Sequence, residues 1–528
     1  MTCFTTGEGQ TTGLVPVVID CFLAQVLLKY GKINKPKHRG DYMSERDMLF
    51  GYGSLQDSVD DCKCSSQADV LARMLMRENV YIGGPPGSGK STVVKTFIDT
   101  IREDTDNSVN IAVTASTGIA AKLIGGITLH SFAGIYPGDT LRESMERVGS
   151  RPDLKGGIKD ADVLIVDEIS MLPPEILDSV NEIMQYYRQS TEPFGGVQVV
   201  FMGDFLQLPP VRRRGDEYEK EYAYEADSWK NANLAYCYLD KIHRARDEDL
   251  QRVLIAMANG KMGIEEKAIL QERVSYSPDG ADMRDPKKTY TNLFTKNMDI
   301  DAYNAKRLAE NPRAPRTFRA FTSGDTHSPE MKKLLKSTNY EEVLTIKEGA
   351  TVMITANKYG AVNGDIGVVQ RVVTRDGVRF IVVLLNDGRE VEVSYMAVHA
   401  QRRVPNKEGK GYTYVPVGSL SYVPLKLAYA VTVHKSQGQT YDGVVADLSN
   451  CFSPGLGYVA LSRVRSLDDL IITDINDRAF KMNETGVGIT RKIKKKGLDN
   501  RKAVLDNIDL YESVLTNKLS RSVYWSFD

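Results

Sequence analysis

Short apolar runs alternate with polar, helix-like stretches through the first half of the chain. Val80–Ile82, the stretch from Ile111, Val163–Val166 and Val197–Met202 are mainly apolar, with Thr114 and Gln198 as the polar exceptions, as expected of buried strands. After the first run, Val93, Val94, Phe97, Ile98 and Ile101 fall on one face of a helix. Four such strands separated by helices predict a parallel sheet whose loops gather along one edge. Residues 137–160, polar with Gly and Pro, read as a small excursion from this unit. The stretch 290–308 reads as a strand and helix opening a second unit, without a phosphate loop of its own. From Glu348 to about Pro424 the pattern shortens. ATVMIT, GVVQRVV, RFIVVLL and REVEVSY are separated by turns such as Asn363-Gly364 and Asn386-Asp387-Gly388, which predicts a small β-barrel. The pattern alone therefore reads as α/β, a parallel-sheet unit followed by a small β-barrel.

The strand ends carry the chemistry. After Asn79–Ile82 comes GGPPGSGKS, in which Gly84, Gly89, Lys90 and Ser91 satisfy the phosphate-loop pattern. Its glycines let backbone N–H groups wrap phosphates at a helix amino terminus, with Lys90 on the β and γ phosphates and Ser91 on Mg2+. The third run ends in Asp167-Glu168, at the edge where α/β sheets bind ligands. Asp167 suits Mg2+ coordination through water, and Glu168 suits orienting and deprotonating an attacking water. The fourth run leads through Gly203-Asp204-Phe205 to Gln207, held ahead of Pro209-Pro210. A neutral amide there can sense the γ-phosphate; a turn capped by Asp204 is the blander alternative.

Length and composition narrow the partners only a little. The chain has 528 residues, 42% hydrophobic and 26% charged, with a net charge of −1, so several soluble domains are expected and any nucleic-acid contact must come from local placement of charge. Six cysteines, at 3, 21, 62, 64, 237 and 451, form no CxxC pair and read as thiols of a reducing compartment. The run Leu14–Leu28 is interrupted by Pro16, Asp20 and Gln25 and reads as a core helix rather than a membrane span. Glu8 and Asp20 argue against a leader. The expectation is an intracellular protein, cytoplasmic or nuclear, with no membrane partner. The basic runs 212–214 and 491–496 are solvated faces or nucleic-acid patches.

Taken together, GGPPGSGKS, TASTGIAAKLIGGITLHSFAGI (114–135), VLIVDEISML, PFGGVQVVFMGDFLQLPPV and AVTVHKSQGQTYDGVV with GYVALSRVRS closely resemble the petite-integration-frequency helicases, the superfamily-one group that includes RecD-like and Dda-like enzymes. The blocks span roughly Gln67 to Asp474. The resemblance implies two RecA-like P-loop motor domains, residues 61–240 and residues 241–309 with 425–476. A Src-homology-type barrel would lie within 310–424, and a duplex-splitting wedge within 137–160. Residues 1–60 and 477–528 lie outside it, and the first of these is the candidate dock for a replication protein.

In function, the resemblance implies a monomeric ATP- and Mg2+-dependent helicase. It would move 5′ to 3′ on single-stranded DNA and unwind tailed or forked duplex in replication, recombination or repair. Gln67 would read the adenine, and Gly84, Gly87, Ser88, Gly89, Lys90, Ser91 and Thr92 would hold the phosphates. Arg463 in ALSRV and Arg244 in KIHRARD would reach ATP across the cleft. The family's usual Phe-Arg-Gln is His243-Arg244-Ala245 here, which leaves a surface ion pair open for Arg244. Thr114, Ser116, Thr117, His130 and Phe132 would grip DNA from the first domain, a buried His130 and a core Phe132 being the alternative. Thr432, His434, Lys435 and Ser436 would grip it from the second, with Gln437 or Gly438 near the γ-phosphate. A RecD-like subunit, an RNA-directed translocase and an ATP-controlled DNA-binding switch are the other readings. Intact Glu168, Gln207 and Arg463 argue against the switch.

Overall fold

A computed structural model of the chain describes residues 67–505, apart from 106–107, 137, 211–218, 278–279, 286–289 and 406–411. The Leu14–Leu28 run, the region 1–60 and the Arg212–Arg214 run lie outside the described residues. The first lobe is a six-stranded parallel sheet of β1 (Val80–Gly83), β2 (Ile111–Ala115), β3 (Ile127–Thr128), β4 (Val163–Asp167), β5 (Gln198–Gly203) and β6 (Ala235–Tyr238), in the order β3-β2-β4-β5-β1-β6. Alternate residues enter opposite cores. Tyr81, Leu164, Val166, Val199 and Phe201 join one, and Val80, Ile82, Val163, Ile165, Val200 and Met202 the other. A sheet buried on both faces needs apolar residues at nearly every position, which is why these strands read as nearly unbroken runs. The helix Lys90–Asp104 buries Val93, Val94, Phe97, Ile98 and Ile101 against that second core.

The excursion before β4 is helical. Leu141–Ser150 and Pro152–Asp160 pack on the helix Pro174–Arg188 through the fully buried Val148 and Ile158, and Thr140 and Glu143 cap the first reciprocally.

The second lobe starts with β7 (Tyr290–Phe294) and the helix Asn297–Glu310. The chain then leaves it for β8 (Arg316–Arg319), β9 (Phe321–Gly324), β10 (Val343–Ile346), β11 (Thr351–Ile354), β12 (Ile366–Arg375), β13 (Val378–Leu385), β14 (Glu390–Val393), β15 (Met396–Pro405), β16 (Tyr412–Tyr422) and β17 (Leu425–Leu427). It returns with β18 (Ala430–Thr432), β19 (Gly443–Leu448) and β20 (Leu470–Ile475), completing a parallel sheet in the order β18-β7-β19-β20.

The inserted region holds a five-stranded antiparallel sheet, β14-β13-β12-β11-β17, and a β10-β8 ribbon. They share one core, in which Phe318, Leu344 and Ile346 meet Val352, Val369, Ile381, Val383 and Leu425. A further sheet, β15-β16-β9, is built on a hairpin of 10- and 11-residue strands in which Ala400, Leu420 and Tyr422 are buried apolar residues and the apolar positions do not alternate regularly, so the apolar pattern does not reveal it.

The chain finally crosses back to the first lobe. The helix Glu484–Leu505 runs along β6, with Ile489 and Ile493 in the first core. Part of the basic run 491–496 is turned onto protein here. Lys494 Nζ lies 4.7 Å from the Tyr238 ring centroid and Lys496 Nζ 4.3 Å from that of Tyr236, cation–π geometry in both cases. Among the described residues no helix is long and apolar enough to cross a membrane, and Cys237 and Cys451 are buried thiols.

Candidate nucleotide cleft and nucleic-acid face

A cleft of about 1080 Å3 opens where the carboxyl ends of the first sheet face the second lobe and two turns of the inserted sheet. The phosphate loop forms one wall. Gly87 (φ 80°) and Gly89 (φ 88°) are left-handed, a conformation glycine adopts freely, and neither has space for a side chain. A Cβ on Gly87 would lie 2.3 Å from Arg244 Cβ, and one on Gly89 2.2 Å from Gln67 Nε2. Gln67 and Arg244 are thus packed directly against the loop. The N–H groups of His243 and Arg244 donate to Gly87 O at 2.8 and 3.2 Å, clamping the turn.

Lys90 Nζ donates to Gly84 O (2.7 Å) and Pro85 O (3.0 Å). Burial lowers its pKa, opposed by the carboxylates of Asp204, Glu168 and Asp167. Ser91 and Thr92 stand exposed at the mouth. Two buried oxygens, Ser88 Oγ and Gln207 Oε1, have no hydrogen-bond partner among the described residues. A glycine cradle, a lysine held on carbonyls, orphaned polar atoms and the hard oxygens of Ser91 and Asp167 together fit a nucleoside triphosphate with Mg2+.

Facing this wall are the carboxylates. Asp167 ends β4, is 8% exposed and accepts from the Glu168 N–H at 2.7 Å. Burial, reinforced by Glu168, pushes its pKa to about 7, against the pull of that hydrogen bond and of Lys90. Glu168 has φ 51° and ψ 43°, a strained backbone costing about 1–3 kcal/mol, and its carboxylate touches the second lobe. Gln437 Nε2 donates to Glu168 Oε2 at 3.4 Å, and a Cβ on Gly438 would lie 3.4 Å from Oε1.

The sequence reading treats Asp204 as a turn cap, yet it is a third cleft-side carboxylate. It is 2% exposed, accepts from Leu206 N–H (3.0 Å) and from Tyr458 Oη of the second lobe (3.3 Å), and burial raises its pKa to about 6. Its signal is positional: it follows β5 as Asp167 ends the neighbouring β4.

Arg463 and Arg244 both line the cleft. Arg463 is 1% exposed and makes four hydrogen bonds within its own lobe. Its Nε donates to Val459 O (2.8 Å), one terminal nitrogen to Ser436 O and Gln439 O (both 3.1 Å), and the other to Ser462 Oγ (2.8 Å). Burial and then Arg244 bring its pKa to about 10, so it stays charged at neutral pH.

The expected DNA-gripping residues divide in two. Thr114 is fully buried, its hydroxyl donating to Ile165 O (2.6 Å). Ser436 is buried too, its hydroxyl donating to Val433 O (2.8 Å). Phe132 offers no stacking face, because it is 6% exposed and packs in the first core. Thr117 Oγ1 caps the helix Gly118–Leu123, and Thr432 Oγ1 accepts from Lys435 N–H (3.1 Å). His130 and His434 are half-buried, each with its pKa lowered by burial, and His434 stacks on Phe452 at 6.3 Å. Lys435 is exposed. Ser116 is tied to the carboxylate strand: its N–H donates to Asp167 O (3.0 Å) and its hydroxyl to Glu168 O (2.8 Å).

The inserted sheet also reaches the cleft, a contact the sequence reading does not anticipate. Lys122, on the helix after Thr117, pairs with Asp365 and lies 3.6 Å from Asp387. Ile119 meets the turn at Gly364. Each partner is a turn residue more than 200 positions away in sequence, so spacing carries no trace of the pairing.

Comparison with known proteins agrees with this architecture. Residues 66–260 match the model of the PIF1-like helicase family. The chain is 32% identical over 487 residues to the ATP-dependent DNA helicase Pif1 of Psychrobacter, covering 83% of this chain and 72% of that one. It is 32% identical over 427 residues to human ATP-dependent DNA helicase PIF1, covering 79% and 61% respectively, so it spans less than two thirds of that relative. Among solved structures, the Bacteroides Pif1 helicase in complex with ADP-AlF3 and single-stranded DNA superposes with a TM-score of 0.69 at 28% identity, over 83% of this chain and 99% of that one. The chain belongs to the PIF1-like helicase family.

Proposed function

We propose that this chain is an ATP-dependent DNA helicase that moves 5′ to 3′ along single-stranded DNA and unwinds tailed or forked duplex. One observation carries the reading. The carboxylate expected to activate water, Glu168, sits where the first lobe meets Gln437-Gly438 of the second; Ser116 ties it to the loop after β2, and Gln437-Gly438 directly follow Thr432–Ser436, the two stretches expected to grip DNA. Closing the cleft and shifting the two loops are then one movement.

Bound Mg2+-ATP supplies the phosphoanhydride and the charge that stabilises the transferring phosphoryl group. Ser91 and Asp167 hold the metal. Lys90 gives up the Gly84 and Pro85 carbonyls for the phosphates, and Gln67 lies at the adenine end. Glu168 takes the proton of the attacking water. Gln207 accepts from the attacking water through its orphaned oxygen, and Arg463, with Arg244, neutralises the developing charge. Thr117, His130, Thr432, His434 and Lys435 hold the strand.

The proposed motor is a monomer; a second copy on the same fork is compatible with it, as in the neighbour described as two coordinating Pif1 helicases at forked duplex DNA. Its place is a DNA-containing compartment, in replication, recombination or repair, and residues 1–60 are the proposed dock for a replication partner.

Strand displacement with Mg2+-ATP on duplexes bearing a 5′ or a 3′ tail tests this. Unwinding of only the 5′-tailed duplex, abolished by Lys90→Ala, is the expected result. Glu168→Gln retains nucleotide binding and loses turnover. Undiminished steady-state hydrolysis in both variants would remove the assigned site, and unwinding from the 3′ tail alone would reverse the polarity.

A further inference from the structure

The sensor loop Asp204–Gln207 is gripped from two directions. From the second lobe, a Cβ on Gly455, the residue before the helix Leu456–Leu461, would lie 3.4 Å from Leu206 O and 3.5 Å from Gln207 O, and Tyr458 of that helix bonds Asp204. Gly455 N–H donates to Lys481 O (2.8 Å), and Gly457 is packed on Ala479 O, so the start of this helix is fixed to the segment leading into the C-terminal helix. That helix supplies the second grip. A Cβ on Gly486 would lie 2.1 Å from Phe205 O, 3.2 Å from Phe205 C and 3.2 Å from Tyr222 Oη. Asn483 fixes this turn, accepting from Gly486 N–H (3.0 Å) and donating to Glu221 (3.2 Å). Further along, the helix is held on the first lobe by Ile489 and Ile493, by Asn500 Nδ2 to Tyr236 O (3.1 Å) and by Arg73 to Asn500 O (2.9 Å).

We infer that Gly486 is a positioning residue for ATP hydrolysis. Through Phe205 it sets the height of the loop that carries Asp204 and Gln207, which makes the C-terminal helix part of the ATP site. A backbone-on-backbone contact leaves no flexible side chain to yield, so an added methyl group must push Phe205, and with it the amide of Gln207. Misplacing a reacting group by about 1 Å can cost about a hundredfold in rate. The inference rests on the function proposed above.

The same helix provides the control, because a Cβ on Gly488 meets nothing within 4 Å. Gly486→Ala and Gly488→Ala both improve helix propensity, by about 1 kcal/mol, and differ only in what the methyl group meets. For Gly486→Ala, kcat of DNA-stimulated ATP hydrolysis should fall about tenfold or more while nucleotide affinity stays within about twofold; Gly488→Ala should match the parent. Phe205 lies 5.9 Å from Trp229 between ring centroids, and the chain has 2 tryptophans. In a Trp525→Phe background, Trp229 emission should therefore shift in Gly486→Ala alone.

Asn483→Ala removes both hydrogen bonds of the turn without overpacking it and should lower kcat about fivefold. Parent-like kcat in both Gly486→Ala and Asn483→Ala, equal losses in the two Ala-for-Gly variants, or a kcat loss matched by lost nucleotide binding would overturn the inference. If the parent itself shows no DNA-stimulated hydrolysis, the proposed function fails first, a result readily distinguished from a parent-like variant.

Discussion

The two loops that end β2 and β18 occupy equivalent places, at the carboxyl edge of a parallel sheet, and both are rich in hydroxyls. They are joined to the chemistry in different ways. In the first lobe Ser116 bonds the backbone of Asp167 and Glu168, so the loop is attached beside the carboxylates and leaves their side chains free. In the second lobe the attachment is the catalytic candidate itself: Arg463 holds the carbonyls of Ser436 and Gln439. Four of the five guanidinium N–H donors are used in these bonds, so serving a phosphate through two N–H groups takes one of them from its present partner. The first loop is thus coupled by a fixed tie and the second by a tie that must be exchanged during the cycle. An exchangeable tie makes the second loop's position depend on whether the cleft is filled.

Breaking the exchangeable tie should have the largest effect. Arginine fingers contribute about three to five orders of magnitude in related nucleotide hydrolyses, so Arg463→Ala should lower single-turnover hydrolysis by roughly a thousandfold or more. It should also lower Tm, since the Ser436 and Gln439 carbonyls lose a buried donor. Arg463→Lys keeps the charge but not the planar fork and should remain at least about a hundredfold impaired. A loss of less than about tenfold in Arg463→Ala would move the finger's role to Arg244 and leave Arg463 as a structural tie only.

The fixed tie should show a smaller and different effect. One hydrogen bond is worth about 1 kcal/mol, or about fivefold. Ser116→Ala should therefore leave basal ATP hydrolysis within about twofold and reduce its stimulation by single-stranded DNA by about fivefold. Ser436→Ala is the matched change in the other loop. Its hydroxyl bonds only within its own turn, to Val433 O, so the stimulation ratio should hold. Equal ratios in the two variants would mean that the first loop is not coupled through Ser116.

What could be read from sequence follows the same division between local and distant partners. Phosphate-loop glycines, the Asp167-Glu168 pair and the periodicity of the helix Lys90–Asp104 depend on residues close together in the chain, and each is visible there. Asp204 with Tyr458, Lys122 with Asp365, and Gly486 with Phe205 are separated by more than 200 residues, and each partner taken alone looks like a turn, a surface lysine or an ordinary helix glycine. Other elements were hidden for another reason. The helices at 141–160, the β15–β16 hairpin and the helix Glu484–Leu505 bury few side chains each, so their apolar signal is sparse even though Val148, Ile158, Ile489 and Ile493 are firmly in the core. Phe132 shows the converse, since an aromatic within a conspicuous motif is held by packing that no local pattern reports.

The smallest effect belongs to the contact between the first loop's helix and the inserted sheet. Lys122 spans from the helix after Thr117 to Asp365 and Asp387 across the mouth of the cleft. It is 36% exposed, and Asp365 keeps Arg389 at 3.5 Å and the Val362 N–H at 3.0 Å when the lysine is gone. A partly exposed pair of this kind is worth about 0–1 kcal/mol, so Lys122→Ala should raise the KM for ATP by no more than about threefold with kcat unchanged. Because the contact is electrostatic and near solvent, the difference between variant and parent should vanish when salt rises from about 50 mM to about 500 mM. A defect that persists at high salt would mean that Lys122 acts by packing around Ile119 and Gly364 rather than by charge. A kcat defect would place the inserted sheet inside the coupling between the loops, and the two-tie comparison would then need a third member.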